Sequence, residues 1–161
     1  LLSNVEFVSS TPVDKTRESV PTTEIDSFFK TFTERSGAMK RLTDLRGKRK
    51  KGKISKKEYD GQIKAIQRRI RDLNPLLENA SKKLSDSGTR YQRLVDRIMI
   101  SSQKQQDIKL NTENARKSYL KGNTPKDIYQ KLIRDYSKED KKLESQIHRS
   151  LTELLEMDQE Y

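Results

Sequence analysis

The sequence predicts an all-α fold, an elongated coiled coil of long helices with a heptad seam, preceded by a short orphan β-strand from a missing barrel domain. Three observations carry this expectation. Hydrophobic residues make up 30% of the 161 residues and charged residues 37%, with no Trp and a mean hydropathy of −1.03. Compact domains draw roughly half their residues from the apolar set, so a thick core is excluded and thin helices burying a narrow seam are favoured over a globule. From Tyr59 the apolar residues fall at Ile63, Ile66, Ile70, Leu73, Leu77, Ala80 and Leu84, spacings that alternate four and three as a left-handed coiled coil requires. Finally, "KGKISKKEYD" at 51–60 returns as "LKGNTPKDIY" at 120–129, with Gly52, Lys56 and Tyr59 matched by Gly122, Lys126 and Tyr129.

Residues 1–8, "LLSNVEFV", read as a strand. A lone strand is unstable, so the expectation is the end of a preceding β domain, and a chain that starts at Leu1 is expected to be a piece of something longer. Residues 9–23 are rich in Ser, Thr and Pro and read as a linker. The helical coiled-coil domain is expected over 24–161. Its first helix spans about 24–47, capped by Thr23 with Asp26 at N3, and its apolar face is Ile25, Phe28, Phe29, Phe32, Met39, Leu42 and Leu45.

The second helix is expected at about 56–121, with Ser55 as N-cap and Glu58 at N3. Its seam continues in phase through Ser87, Tyr91, Leu94, Ile98, Ser101, Gln105, Ile108, Thr112, Ala115 and Tyr119. Because the phase survives Pro75 and Gly88, one kinked helix about 100 Å long is favoured. A hairpin at "SDSG" is the alternative. The third helix, at about 125–161, has Thr124 as cap, Pro125 at N1 and a seam of Tyr129, Ile133, Tyr136, Asp140, Leu143, Ile147, Ser150, Leu154, Met157 and Tyr161. Tyr59, Ile63, Leu73, Leu77 and Leu84 pair with Tyr129, Ile133, Leu143, Ile147 and Leu154 at one constant offset, an internal repeat of a turn and a helix.

The charge balance, 35 Lys and Arg against 24 Asp and Glu, gives a net +11 and points to polyanionic partners: DNA, or an anionic membrane surface. The charge is concentrated. Residues 40–57 hold ten basic residues (Lys40, Arg41, Arg46, Lys48, Arg49, Lys50, Lys51, Lys53, Lys56, Lys57) against one acid, Asp44. Within this run Arg46, Lys48, Arg49, Lys50, Lys51 and Lys53 are the candidate polyanion-binding residues. No aromatics interleave with them, which disfavours base stacking. From Leu151 the chain is acidic, which permits basic-to-acidic contacts between subunits.

Nothing in the sequence suggests catalysis or a cofactor. The glycines near 47–52 lack the Gly-Lys-Ser/Thr of a phosphate loop, and the one histidine, His148, has only Glu144 nearby on its helix face. There is no cysteine, which removes thiolate metal sites and permits a cytoplasmic setting. No apolar stretch approaches a membrane span.

The segments "GKISKKEYDGQIKAI", "LVDRIMISSQKQQ", "YLKGNTPKDIYQKLI" and "SKEDKKLESQIHRSLTELLE" together resemble the coiled-coil region of the archaeal CdvA family of cell-division proteins, over roughly residues 40–160. The resemblance implies a barrel of PRC type before the coiled coil. It also implies a non-enzymatic, filament-forming cytoskeletal scaffold that associates with membrane and DNA, recruits ESCRT-III homologues at the division site and polymerises with itself. Two other readings stand beside it: a basic nucleoid-associated DNA-binding coiled coil, and a membrane-remodelling helical hairpin of ESCRT-III type.

Overall fold

The computed structural model describes residues 20–159, all helix but for short turns: α1 (Thr22–Lys50), α2 (Lys56–Asp86), α3 (Thr89–Leu120) and α4 (Lys126–Gln159). The expected strand at 1–8 and most of the linker at 9–23 lie outside these residues. The helices alternate in direction. α1 packs on α2 and α3 on α4 along their lengths, while α2 meets α3, and α1 meets α4, over much shorter stretches. The chain is therefore two helical hairpins set side by side, both turning at the same end.

That end is built twice from the same parts. α1 stops at Gly52, whose φ of +69° is the left-handed conformation that glycine adopts without penalty. Gly52 N donates to Arg49 O at 3.1 Å and Lys53 N to Lys48 O at 2.9 Å, the paired bonds of a Schellman cap. At Gly122, with φ +76°, the same bonds run from Gly122 N to Tyr119 O at 3.0 Å and from Asn123 N to Ser118 O at 2.9 Å. After the first turn Ser55 Oγ accepts from Glu58 N at 3.2 Å, as its spacing predicts.

Of the expected seam residues, Tyr161 lies outside the described residues and the rest are buried or half-buried. Leu73, Leu77, Leu84, Leu94, Ile98, Leu143, Ile147 and Leu154 are buried, and Tyr59, Ile63, Ile66, Ile70, Tyr91, Tyr129 and Ile133 are half-buried. Burial deepens away from the tips. The core gathers at the opposite end, where Ile25, Phe28 and Phe32 of α1 join Leu77, Ala80 and Leu84 of α2, Leu94, Val95 and Ile98 of α3, and Ile147, Leu154 and Met157 of α4. Each such large side chain contributes roughly 1.5–3 kcal/mol on burial.

Several boundaries differ from those expected. The single helix over 56–121 is broken at Ser87–Gly88: Gly88 takes φ 153° and ψ 161°, and α3 folds back on α2. The heptad phase could not reveal this, because an antiparallel neighbour is as well served by a 3.5-residue seam as a continuation is. Pro75, by contrast, does not interrupt α2. It lies on the exposed face, where water can satisfy the carbonyl it leaves unbonded. Asn74, just before it, is itself helical, and its Oδ1 accepts from Arg35 Nε at 2.7 Å.

α1 runs past Gly47 to Lys50, since Gly47 sits within the helix and the left-handed residue is Gly52. At its start α1 is capped by Pro21, not Thr23, with Pro21 O accepting from Ile25 N at 2.9 Å. The cap of α4 has not shifted by one residue either. Tyr129 N bonds Pro125 O at 3.0 Å just as Tyr59 N bonds Ser55 O at 2.9 Å, so the turn geometry fixes the register. Thr124 is freed from capping, and its hydroxyl lies 2.6 Å from that of Ser118.

Candidate polyanion-binding tip

The basic run divides across the first turn. Arg46, Lys48, Arg49 and Lys50 lie on the last turn and a half of α1, Lys51 and Lys53 in the turn, and Lys56 and Lys57 on the first turn of α2; all are exposed. Cations at the end of α1 are also favourable locally, because the unpaired carbonyls of a helix C-terminus carry partial negative charge. The tip thus folds with its charges clustered, and the Schellman turn holds them on one knob.

Two of these side chains are engaged. Arg49 Nη1 donates to Ile54 O at 3.3 Å, bracing the turn. Lys50 Nζ reaches across to Glu113 Oε2 of α3 at 2.8 Å, which ties the first tip to the second hairpin. The Lys50 hydrogen bond holds the Glu113 carboxyl below its ordinary pKa, with desolvation opposing it and the charges of Lys50, Arg116 and Lys117 adding to it. The side chains of Arg46, Lys48, Lys51 and Lys53 have no ion pair or hydrogen bond among the described residues, so they are open to an external anion.

The second tip is chemically different. Over 110–127 it has four basic residues (Arg116, Lys117, Lys121, Lys126) and two acids (Glu113, Asp127), a net of +2, against ten less one, +9, over the equivalent 40–57. Tyr119 and Tyr129 stack there with parallel rings 4.4 Å apart, whereas the residue equivalent to Tyr119 in the first tip is Arg49. Leu120 and Ile128 flank the second turn with 67% and 50% of their surface exposed. A basic knob and an apolar one therefore share one end of the molecule.

Sequence reasoning located the basic run and the seam but missed this pairing of tips, which follows only from the reversal at Gly88. It also missed Ala38, fully buried on α1, although Ala38 stands seven residues before Leu45 in the same phase. Among the described residues no three His, Cys, Asp or Glu side chains cluster as metal ligands. His148 is exposed on α4, and among the described residues no helix is long and apolar enough to cross a membrane. The sequence matches no protein-family model, and no curated protein is similar to it.

Proposed function

We propose that the chain is a non-enzymatic helical scaffold that self-associates and docks by its tips on an anionic membrane surface. The observation that carries this reading is the exposed basic cluster of Arg46, Lys48, Lys51 and Lys53 at the same end of the molecule as the exposed Leu120 and Ile128. Lysines near an anionic bilayer gain about 1 kcal/mol each, and apolar side chains entering the headgroup layer add to that. Membrane association at a division site, recruitment of ESCRT-III homologues and polymerisation rest further on the sequence resemblance to the CdvA family.

DNA is the second reading, favoured by a run of ten cations with a single acid. It would involve phosphate contacts without base recognition, hence steep salt dependence and little sequence preference.

Co-sedimentation with vesicles containing or lacking phosphatidylserine, alongside a duplex-DNA titration, separates the two. Charge reversal at Lys48, Lys51 and Lys53 should abolish vesicle binding at physiological salt, whereas reversal at Lys117, Lys121 and Lys126 should weaken it only several-fold. If vesicles containing phosphatidylserine bind no better than vesicles lacking it while duplex DNA binds tightly, the DNA reading replaces the membrane one; loss of vesicle binding in Leu120→Ser with Ile128→Ser supports the membrane reading. Equal effects of the two charge reversals would refute a preferential role for the first tip, and no effect of the Lys48, Lys51 and Lys53 reversal would refute any role for it.

A further inference from the structure

We infer that Gly88 is a one-residue hinge through which the two hairpins separate, and that the occupant of the opened interface is the opposite hairpin of a second copy of this chain. The inference deepens the self-association part of the proposed function and is independent of which polyanion the tips bind.

The turn between α2 and α3 is unlike the two tips. In the first tip both Gly52 (φ +69°) and Ser55 (φ −68°, ψ 156°) leave helical geometry. Between α2 and α3, Ser87 is already right-handed helical at φ −74° and ψ −12°, and only Gly88 departs, at φ 153° and ψ 161°. The last turn of α2 closes on Leu84 O and Ser85 O, and Gly88 O already accepts Gln92 N at 3.0 Å to begin α3. Moving one residue into the helical region would make Lys56–Leu120 a single helix, about 100 Å long at 1.5 Å per residue.

The sequence is prepared for that helix. Leu84, Ser87, Tyr91 and Leu94 keep the four-and-three spacing through the break, so straightening leaves the seam on one continuous face. The contacts to be given up are also the thinner ones. Packing within each hairpin runs its full length, while the hairpins meet each other chiefly through the core cluster of Phe28, Phe32, Leu84, Leu94, Ile98 and Leu154. The ion pairs Lys50–Glu113 and Lys40–Glu144 also span the hairpins, the first partly exposed and the second largely so.

A second opened copy, laid antiparallel, presents the same partners to that cluster: its first hairpin covers this chain's second, and the reverse. Such a reciprocal exchange requires no new complementarity, and strain in a short hinge favours it. It also changes what the molecule can reach. The closed bundle has both tips at one end, whereas the exchanged pair is a rod with a basic tip at each end, able to bridge two anionic surfaces.

The full chain, Gly88→Ala and a variant with Gly-Gly-Ser inserted after Gly88 should be compared by light scattering with size exclusion and by small-angle X-ray scattering over a concentration series. An alanine Cβ at position 88 would lie 3.5 Å from Tyr91 Cδ2, an ordinary contact, so its only conflict with the closed turn is the backbone angle. Gly88→Ala should shift the chain to a dimer whose maximum dimension is about twice that of the closed monomer. The insertion relaxes the turn and breaks the seam's phase, and it should stay a compact monomer at every concentration with wild-type helicity. A compact monomer for Gly88→Ala would overturn the hinge. If Gly88→Ala does not fold, the insertion variant decides: dimerisation as ready as wild type overturns the hinge while leaving self-association standing, and loss of dimerisation supports it. A wild-type chain and Gly88→Ala that both remain monomers throughout would remove self-association as well.

Discussion

The two hairpins share a backbone and differ in chemistry. Residues 56–86 and 126–156 follow nearly the same pattern of buried and exposed positions seventy residues apart, and the caps at Gly52 and Gly122 make the same bonds. On the surface the correspondence fails. The exposed Leu110, Leu120 and Ile128 of the second hairpin stand where the first has Lys40, Lys50 and Glu58. A duplicated scaffold with a conserved inside and a divergent outside indicates that the fold is set by the seam, while the tips are free to take separate roles.

The largest effects should come from the shared inside. Leu84 and Leu154 are equivalent and both fully buried at 0%. Leu84→Ala and Leu154→Ala should each lower the unfolding free energy by about 2–5 kcal/mol, the range for large-to-small changes in a core. Chemical denaturation checks both. A loss at one site and little at the other would show that the hairpins are not structural equals.

A smaller effect separates the copies inside the core. Ser150 is fully buried, and its Oγ has no hydrogen-bond partner among the described residues; its equivalent in the first hairpin is the buried Ala80. An unsatisfied buried hydroxyl costs on the order of 1–3 kcal/mol. Ser150→Ala should therefore stabilise the chain by about 1 kcal/mol, and Ala80→Ser should destabilise it by a similar amount, both read from denaturation midpoints. No gain for Ser150→Ala would mean that the hydroxyl finds a carbonyl or a water in solution.

These equivalences also explain what the sequence could and could not disclose. The seam was legible because Leu73, Leu77 and Leu84 recur at coiled-coil spacing and again at Leu143, Ile147 and Leu154, a pattern that composition alone does not produce. α1 and α3 were harder to match, since in their interior the equivalents of Phe32, Arg35 and Leu42 are Ser102, Gln105 and Thr112. Their kinship lies in shared burial and in the turn each enters, not in side-chain identity. The reversal at Gly88 was not legible, because φ at one glycine decides between a hairpin and a rod of the same phase. The basic run was plain, but its apolar neighbour was not, since Leu120 and Ile128 lie about seventy residues away in the chain.

The smallest expected effect tests the Lys50–Glu113 ion pair, which joins the first tip to the second hairpin. Glu113 pairs with Lys50, and its equivalent in the first hairpin is Thr43, so the contact has no mirror image. Both side chains are more than a third exposed, at 42% and 38%, and exposed pairs are worth roughly 0–1 kcal/mol and are screened by salt. The Lys50 hydrogen bond lowers the folded-state pKa of Glu113 below its unfolded value. Its contribution is therefore complete above the unfolded pKa and is lost as the pH falls through the folded one. The stability difference between the wild type and Glu113→Gln should accordingly be small at neutral pH, vanish on acidification below the ordinary glutamate range, and vanish also in high salt at neutral pH. An anionic surface competes with Glu113 for the same ammonium group, so Glu113→Gln should bind anionic vesicles more tightly and with a salt dependence steeper by up to about one unit of slope. An unchanged salt slope would mean that Lys50 serves only as the tie between the hairpins, and that the anion is gripped by Arg46, Lys48, Lys51 and Lys53 without it.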